Sequence, residues 1–329
     1  MKNQISMLSL FGGLGGPRLA AEQAGFTVVK EYVSEVNPAS IKVYSERFPD
    51  AIQVGDVRNL LARDYIFIDL ITAGSPCQNF SMAGLGLGMI TLSNIEVTTL
   101  KQYLKLKKEG FQFKGQSYLF WEFVRLVKEV NKLRSERGLP PVKFLLENVV
   151  IKNKKWVKVI TDALGVEPIM IDSAKVSAQS RKRLYWTNIE GVNQPKDLNI
   201  TVSDVIPEAV SAVHFARKRN KETQKWERPL QLRKTDLKFN TLTTTNGSIT
   251  KEGKHYGNGF YMTKKGEVKQ LSITHQEILQ GLKEGYTNVK GVSKTQRIKM
   301  IGNAWNVPTV AHIFKCYKKE RKILNSQKN

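Results

Sequence analysis

Two cysteines, Cys77 and Cys316, and four histidines, His214, His255, His275 and His312, are all that the 329 residues contain of these types. Two thiols cannot build a disulfide framework. The histidines show neither ligand spacing nor Cys-x-x-Cys company, so no metal site is expected. Long apolar runs are also missing: no span of 18 or more apolar residues occurs, which excludes a transmembrane helix. The start, Met1-Lys2 followed by Met7-Leu8-Ser9-Leu10-Phe11, is too short and too interrupted by Gln4 and Ser6 to serve as a signal peptide. These absences predict a soluble, cytoplasmic protein in a reducing compartment, with no membrane partner. Acidic residues are scarce as well, 29 against 52 Lys and Arg, leaving a net charge of +23. That exceeds what solubility needs and suits a polyanionic partner. His214 to Gln270 alone carries 14 Lys or Arg and 5 Asp or Glu. Nucleic acid is the leading partner, and a lysine-rich solvated surface is the alternative.

At 41% hydrophobic residues the chain can bury the core of one large or two modest domains. Residues 1 to about 190 alternate strand-like apolar runs with longer helical patterns, the signature of βαβ units around a parallel sheet. The candidate strands are Ile5–Leu10, Val28–Val33, Tyr65–Ala73, Phe144–Glu147, Pro168–Asp172 and Arg183–Thr187. Candidate helices include Pro17–Ala24, Ala39–Phe48 and Ser117–Leu133, the last with Leu119, Phe120, Phe123, Leu126, Val127 and Val130 along one face. From 191 to 290 the periodicity fades and Gly, Asn, Thr and Lys dominate, which predicts a smaller, irregular second domain. Residues 291–329 then close the chain with Ile301-Gly302-Asn303-Ala304 and an amphipathic stretch, Val310–Ile323, expected to pack back onto the first domain. Met89–Phe113 breaks the pattern. It carries Leu100, Tyr103, Leu104 and Leu106 among charges, which suits a short amphipathic helix inside a long loop, and loops of that length are usually functional.

Candidate chemistry lies where apolar strands end. The run Tyr65–Ala73 leads straight into Gly74-Ser75-Pro76-Cys77-Gln78, and open α/β sheets bind ligands at the carboxyl ends of their strands. Cys77 is therefore a candidate nucleophile, with an inert structural thiol as the alternative. Phe11-Gly12-Gly13-Leu14-Gly15-Gly16-Pro17 follows the first strand and opens a helix. Its glycines permit close backbone approach to a cofactor, or simply a tight strand-to-helix turn, and Pro17 suits the first helical turn. The nicotinamide fingerprint is not met, because Arg18 stands three residues beyond Gly15. Glu35, about 20 residues past the glycines, is placed to accept ribose hydroxyls. Asp56, in Gly55-Asp56-Val57, can meet an adenine amino group or cap a turn. Together they outline a nucleoside-containing cofactor. Glu147 ends another apolar strand, where a carboxylate is costly to ionise unless paired; it is a candidate proton donor or half of a buried ion pair. In Gln179-Ser180-Arg181-Lys182-Arg183 the two arginines share one side of an extended segment, suited to carbonyl oxygens or phosphates.

The ordered set Phe11-x-Gly13-x-Gly15, Pro76-Cys77-Gln78, Glu147-Asn148-Val149, Gln179-x-Arg181-x-Arg183 and Gly302-Asn303-Ala304 resembles the motifs of cytosine-C5 DNA methyltransferases. The resemblance covers nearly the whole chain. Tyr118–Phe123, Val176–Ala178, Tyr185-Trp186-x-Asn188 and Trp305-x-Val307-Pro308 are also similar to the catalytic domain of animal de novo enzymes. Gln78, the complete Gln-x-Arg-x-Arg motif and Gly-Asn-Ala are instead similar to bacterial and phage members, such as those of restriction-modification systems.

The resemblance implies a Rossmann-like α/β methyltransferase sheet, with 1–190 and 291–329 as the catalytic domain and 191–290 as the target-recognition domain. It implies S-adenosylmethionine as cofactor, leaving as S-adenosylhomocysteine and held by Phe11, Gly13, Gly15, Glu35, Asp56, Val57, Pro76, Asn303 and Ala304. It implies that the Cys77 thiolate adds to C6 of cytosine while Glu147 hydrogen-bonds N3, so that C5 takes the methyl group. Arg183 would contact the cytosine carbonyl, with Arg181 and Gln179 supporting the site and a mobile catalytic loop into which the Met89–Phe113 insertion falls. Double-stranded DNA is the implied partner, its target base flipped out, with Gln78, Ser81, Arg228, Lys238 and Thr243 as DNA contacts. Three rivals stand beside this reading. A cytosine-C5 RNA methyltransferase acting on transfer RNA is disfavoured by Gln78. A catalytically silent DNA-binding regulator is disfavoured by the joint presence of Cys77, Glu147 and Arg183. A nicotinamide oxidoreductase explains the glycines but neither Pro-Cys-Gln nor the charge.

Overall fold

Apolar residues on both faces of the first strand dictate a central position in a two-sided sheet. In β1 (Gln4–Leu10), Ile5 and Met7 pack to one side and Leu8 and Leu10 to the other. The computed structural model describes residues 3–76, 80, 88–215, 218–219, 222–224, 226–227, 230–231, 237–245, 248–249 and 255–326. After β1 come α1 (Gly16–Gln23), β2 (Thr27–Ser34), α2 (Pro38–Arg47), β3 (Ile52–Gln53) and β4 (Leu70–Gly74). The chain continues with α3 (Leu100–Lys108), α4 (Phe120–Ser135), β5 (Lys143–Val149), α5 (Lys154–Leu164), β6 (Ile169–Asp172) and β7 (Lys182–Thr187). These seven strands form one sheet in the order β3-β2-β1-β4-β5-β7-β6. The pairs from β3 to β5 are parallel, and β7 runs antiparallel to both β5 and β6.

That topology fixes where a ligand can sit. Chain order reverses between β1 and β4, and the crevice beyond their carboxyl ends is the topological switch point of an open α/β sheet. Because β7 runs against its neighbours, its beginning rather than its end lies at that edge. Arg183 thus pairs in register with Val149, and Glu147 with Gly74. α4 covers one face of the sheet, its Phe120, Phe123 and Val127 packing with Ile71, Phe144 and Leu146. α1 and the closing helix cover the other.

The expected strand Tyr65–Ala73 is shorter than its apolar run. Ala62–Tyr65 is a 3-10 turn and the strand begins at Leu70. Asp69 sets the boundary, its Oδ2 accepting from the Ser6 backbone N at 2.8 Å and Ser6 Oγ at 2.9 Å. Tyr65, Ile66 and Ile68 are buried, while Phe67 is 76% exposed.

The remaining elements are α6 (Val202–Val205), β8 (Ala209–Phe215), β9 (Lys218–Arg219), β10 (Trp226–Glu227), β11 (Leu230–Gln231), β12 (Ser248–Ile249), β13 (His255–Thr263) and β14 (Val268–Gln270). They are followed by α7 (Ile273–Leu279), α8 (Lys294–Asn303) and α9 (Val307–Ser326). β11-β8-β13-β12, with β14 on β13, make an antiparallel sheet more regular than the Gly- and Lys-rich composition suggests. α9 packs back against α1, and its Val310, Ile313 and Phe314 join Ile5, Met7 and Leu70 in one core. No helix among the described residues is long and apolar enough to cross a membrane.

Candidate active site

A cavity of about 740 Å³ opens at the switch point, within the size range of small-molecule sites. The turn after β1 forms its floor. Gly12 N donates to Ser34 O at 3.1 Å, bringing the turn onto the end of β2. A Cβ on Gly12 would lie 2.5 Å from Val33 Cγ1, so only glycine permits that approach. Phe11, on the cavity wall, has φ +57, a conformation disfavoured for a side chain of this size. Glu35 ties the turn down. Its Oε2 accepts from Gly13 N at 2.9 Å, while Oε1 accepts from Val36 N and Asn37 N, both at 2.8 Å.

Asp56 satisfies the turn-cap alternative while also lining the cavity. It caps the 3-10 turn Val57–Asn59, accepting from Arg58 N at 2.9 Å, and its carboxylate also takes the Arg58 guanidinium. The side-chain hydrogen bond from Arg58 holds the Asp56 carboxyl below the usual carboxylate range. Val57, Pro76, Asn303 and Ala304 reach the same cavity. The residues therefore fit a nucleoside-bearing cofactor: a glycine turn with close backbone approach and two carboxylates, Glu35 and Asp56, lining one cavity.

The reactive end lies beyond β4. Asn148 Nδ2 donates to Ser75 Oγ at 3.1 Å, fixing the backbone just before Pro76. Glu147 and Arg183, from adjacent antiparallel strands, form an ion pair with Arg183 Nε 2.9 Å from Glu147 Oε1, and both line the cavity. The sequence alternative of a paired glutamate is thus observed, with a guanidinium as its partner. Cys77, Gln78, Ser81 and Arg228 lie outside the described residues.

Gln179 and Arg181 make supporting contacts, and Lys238 departs from its expected place. Gln179 is fully buried and off the cavity wall; its Nε2 donates to Leu279 O at 3.2 Å and its Oε1 accepts from Leu242 N at 3.0 Å. Arg181 donates to Leu242 O at 3.1 Å, Gly302 O at 3.1 Å and Ala304 O at 2.9 Å. Arg181, which also lines the cavity, joins the strand that carries Arg183 to the end of α8, and Gln179 ties the preceding segment to the end of α7. Lys238, expected on DNA, turns inward: its ammonium donates to Ala174 O at 2.8 Å, Ser177 O at 3.2 Å and Ile200 O. Burial pushes that ammonium below the usual lysine range. Thr243 has an exposed side chain, while its carbonyl packs where a Cβ on Gly302 would stand, at 2.3 Å.

The structure adds residues that motif reading did not place at the site. Trp305 lines the cavity and bridges two turns; a Cβ on Gly74 would lie 2.6 Å from its Nε1, and one on Gly16 3.2 Å from its Cβ. Beneath the glycine turn, buried Glu31 accepts from Ser9 Oγ and Tyr44 OH, both at 2.7 Å, and meets Arg18 at 3.4 Å. Burial raises the Glu31 carboxyl despite these partners. No signal in the sequence separates Glu31 from a surface glutamate on an edge-facing strand. Tyr118 and Leu119 also reach the wall. Among the described residues no cluster of three His, Cys, Asp or Glu side chains could hold a metal ion.

Comparison with known proteins places this geometry. The model of the C-5 cytosine-specific DNA methylase family matches residues 5–225. The chain is 34% identical over 113 residues to Type II methyltransferase M.NlaIV of Neisseria lactamica, a match that takes in 33% of this chain and spans 27% of that protein's length. It is 28% identical over 340 residues to Type II methyltransferase M1.ScrFI of Lactococcus lactis subsp. cremoris, covering 93% of this chain and 76% of that protein. Among solved structures, S. pombe Dnmt2 methyltransferase superposes with a TM-score of 0.58 at 17% identity, covering 94% of this chain and 97% of its own, a likeness of fold. The chain belongs to the C-5 cytosine-specific DNA methylase family.

Proposed function

We propose that the protein transfers a methyl group from S-adenosylmethionine to C5 of a flipped-out cytosine in double-stranded DNA, through a covalent bond between Cys77 and C6. The observation that carries this reading is the Glu147–Arg183 pair on the wall of a cavity that also receives the glycine turn, Glu35 and Pro76. S-adenosylmethionine bound by the Phe11–Gly15 turn, Glu35, Asp56, Val57, Asn303 and Ala304 would supply an electrophilic methyl group. Cytosine C5 is a weak nucleophile, and Cys77 corrects this by adding its thiolate to C6. Glu147, taking up a proton from water as the base enters, donates a hydrogen bond to N3 as electron density moves onto the ring, and Arg183 holds the carbonyl oxygen. C5 then takes the methyl group. Water or hydroxide takes the C5 proton, the C–H electron pair re-forms the C5–C6 double bond, and the Cys77 thiolate leaves with its own pair, restoring the ring and the enzyme. The base must leave the stack for Cys77 to reach C6.

Glu35→Ala should weaken S-adenosylmethionine binding by roughly 10- to 100-fold in calorimetry, because a charged acceptor serving both turn and ribose is lost. Unchanged affinity, or tight binding of NAD instead, would remove the cofactor assignment. Base-resolution methylation sequencing of a plasmid from expressing cells tests the reaction itself. We further assign target recognition to residues 191–290, where the basic stretch His214–Gln270 lies. Neutralising lysines there should change the methylated sequence and flatten the salt dependence of binding. An unaltered sequence and slope would place recognition elsewhere.

A further inference from the structure

The inserted segment between Gly88 and Lys114 is a mounted helix with two unlike faces. Tyr103 and Leu106 are buried, and Lys107 turns to the same side. Tyr103 and Lys107 meet Glu122 of α4, a fully buried carboxylate. Glu122 Oε1 accepts from Tyr103 OH at 2.5 Å and Lys107 Nζ at 2.6 Å, and its Oε2 from Arg125 Nε at 2.7 Å. The Phe113 ring stacks on Tyr118 at 4.4 Å, and bridges join Ile90 to Glu96 and Thr91 to Phe113. A helix held at so many points presents its outer face in a fixed direction.

That outer face carries Lys101, Lys105 and Lys108 at i, i+4 and i+7, all exposed, so they form one stripe. Lys105 has a loose partner in Glu109 at 3.8 Å and stays 75% exposed. The stripe spans about 10 Å at 1.5 Å per residue, which matches roughly three nucleotides of one strand at 3.4 Å each. Its position points the same way. The segment begins at Gly88, whose added Cβ would collide with Trp156, and the Trp156 ring lies 6.2 Å from that of Phe80, three residues past Cys77. Lys155, next to Trp156, pairs with Glu96 of the insertion. Trp156 therefore touches Phe80 on one side and the start of the insertion on the other, and Lys155 ties the insertion to the same helix.

We propose that Lys101, Lys105 and Lys108 bind the phosphate backbone of the substrate duplex beside the target base, a role that rests on the DNA reading above. The occupant is a nucleic-acid strand because the stripe is cationic, regularly spaced and attached to the reactive loop, while its one cation on the inner face, Lys107, is already spent on Glu122. The test is a salt series on duplex DNA carrying the methylated sequence. Lys101→Gln, Lys105→Gln and Lys108→Gln together should lower the slope of log K against log salt by about 2–3, near 0.9 per phosphate contact. The corresponding triple Lys→Arg variant should retain the slope, and Leu104→Ser, which removes the exposed apolar neighbour without changing charge, should retain it too. Thermal stability and S-adenosylmethionine affinity should match the parent protein in all three. A triple Gln variant with the parental slope overturns the proposal, as does weakened binding by Leu104→Ser alone. A parent protein that binds no duplex at all overturns the DNA reading instead.

Discussion

Duplex DNA carrying 5-fluorocytosine at the target, mixed with the protein and S-adenosylmethionine, is expected to give a denaturation-resistant protein–DNA adduct whose crosslinked peptide contains Cys77. Fluorine at C5 cannot leave as a cation in place of the proton, so the sequence of steps stops with the C6–sulfur bond intact. Cys77→Ser should yield no adduct, a loss limited only by detection. Glu147→Gln should form it about 10²- to 10⁴-fold more slowly, the range for removing a positioned acid–base group. The measurement is a denaturing gel followed by peptide mapping. Methylation of unmodified DNA without any adduct, or full activity in Cys77→Ser, would overturn the nucleophilic mechanism.

Arg181→Met is expected to cost about 3 kcal/mol of stability, because it leaves the carbonyls of Leu242, Gly302 and Ala304 without their charged donor. For a chain of 329 residues that is a drop of roughly 4 °C in Tm. Cofactor binding should fall with it, since Asn303 and Ala304 sit on the strap that Arg181 holds. Arg181→Lys should recover little, because one ammonium cannot reproduce a planar fork serving three oxygens. Calorimetric scanning separates this from a catalytic role: a variant with the parental Tm and cofactor affinity but no turnover would return Arg181 to the reacting atoms.

The strand ends were legible because runs of apolar and β-branched residues mark β1, β2 and β5, and the glycine turn stops the first of them. β1, β2 and β5 lie within about two residues of the apolar runs that announced them, and Glu35, Pro76 and Glu147 follow from those ends. Strand direction was not legible. Nothing local in Lys182–Thr187 says that it runs antiparallel, yet that reversal brings Arg183 to Glu147. Orientation of charged side chains escaped for a similar reason. Lys238 belongs inside because the carbonyls of Ala174, Ser177 and Ile200 converge there, and those carbonyls meet only through tertiary packing. Glu122, flanked by Trp121 and Phe123, gives no hint in sequence that Tyr103 and Lys107 of a separate segment complete it.

One consequence of the closing segment concerns synthesis. Phe11 and Trp305 line the same cavity although roughly 300 residues separate them, and α9 adds Val310, Ile313 and Phe314 to the core that Ile5 and Met7 begin. A ribosome adding about 5–20 residues per second leaves the glycine turn waiting roughly 15–60 s for its last wall. Throughout that interval one side of the central sheet faces solvent, open to chaperones and to association with other nascent chains.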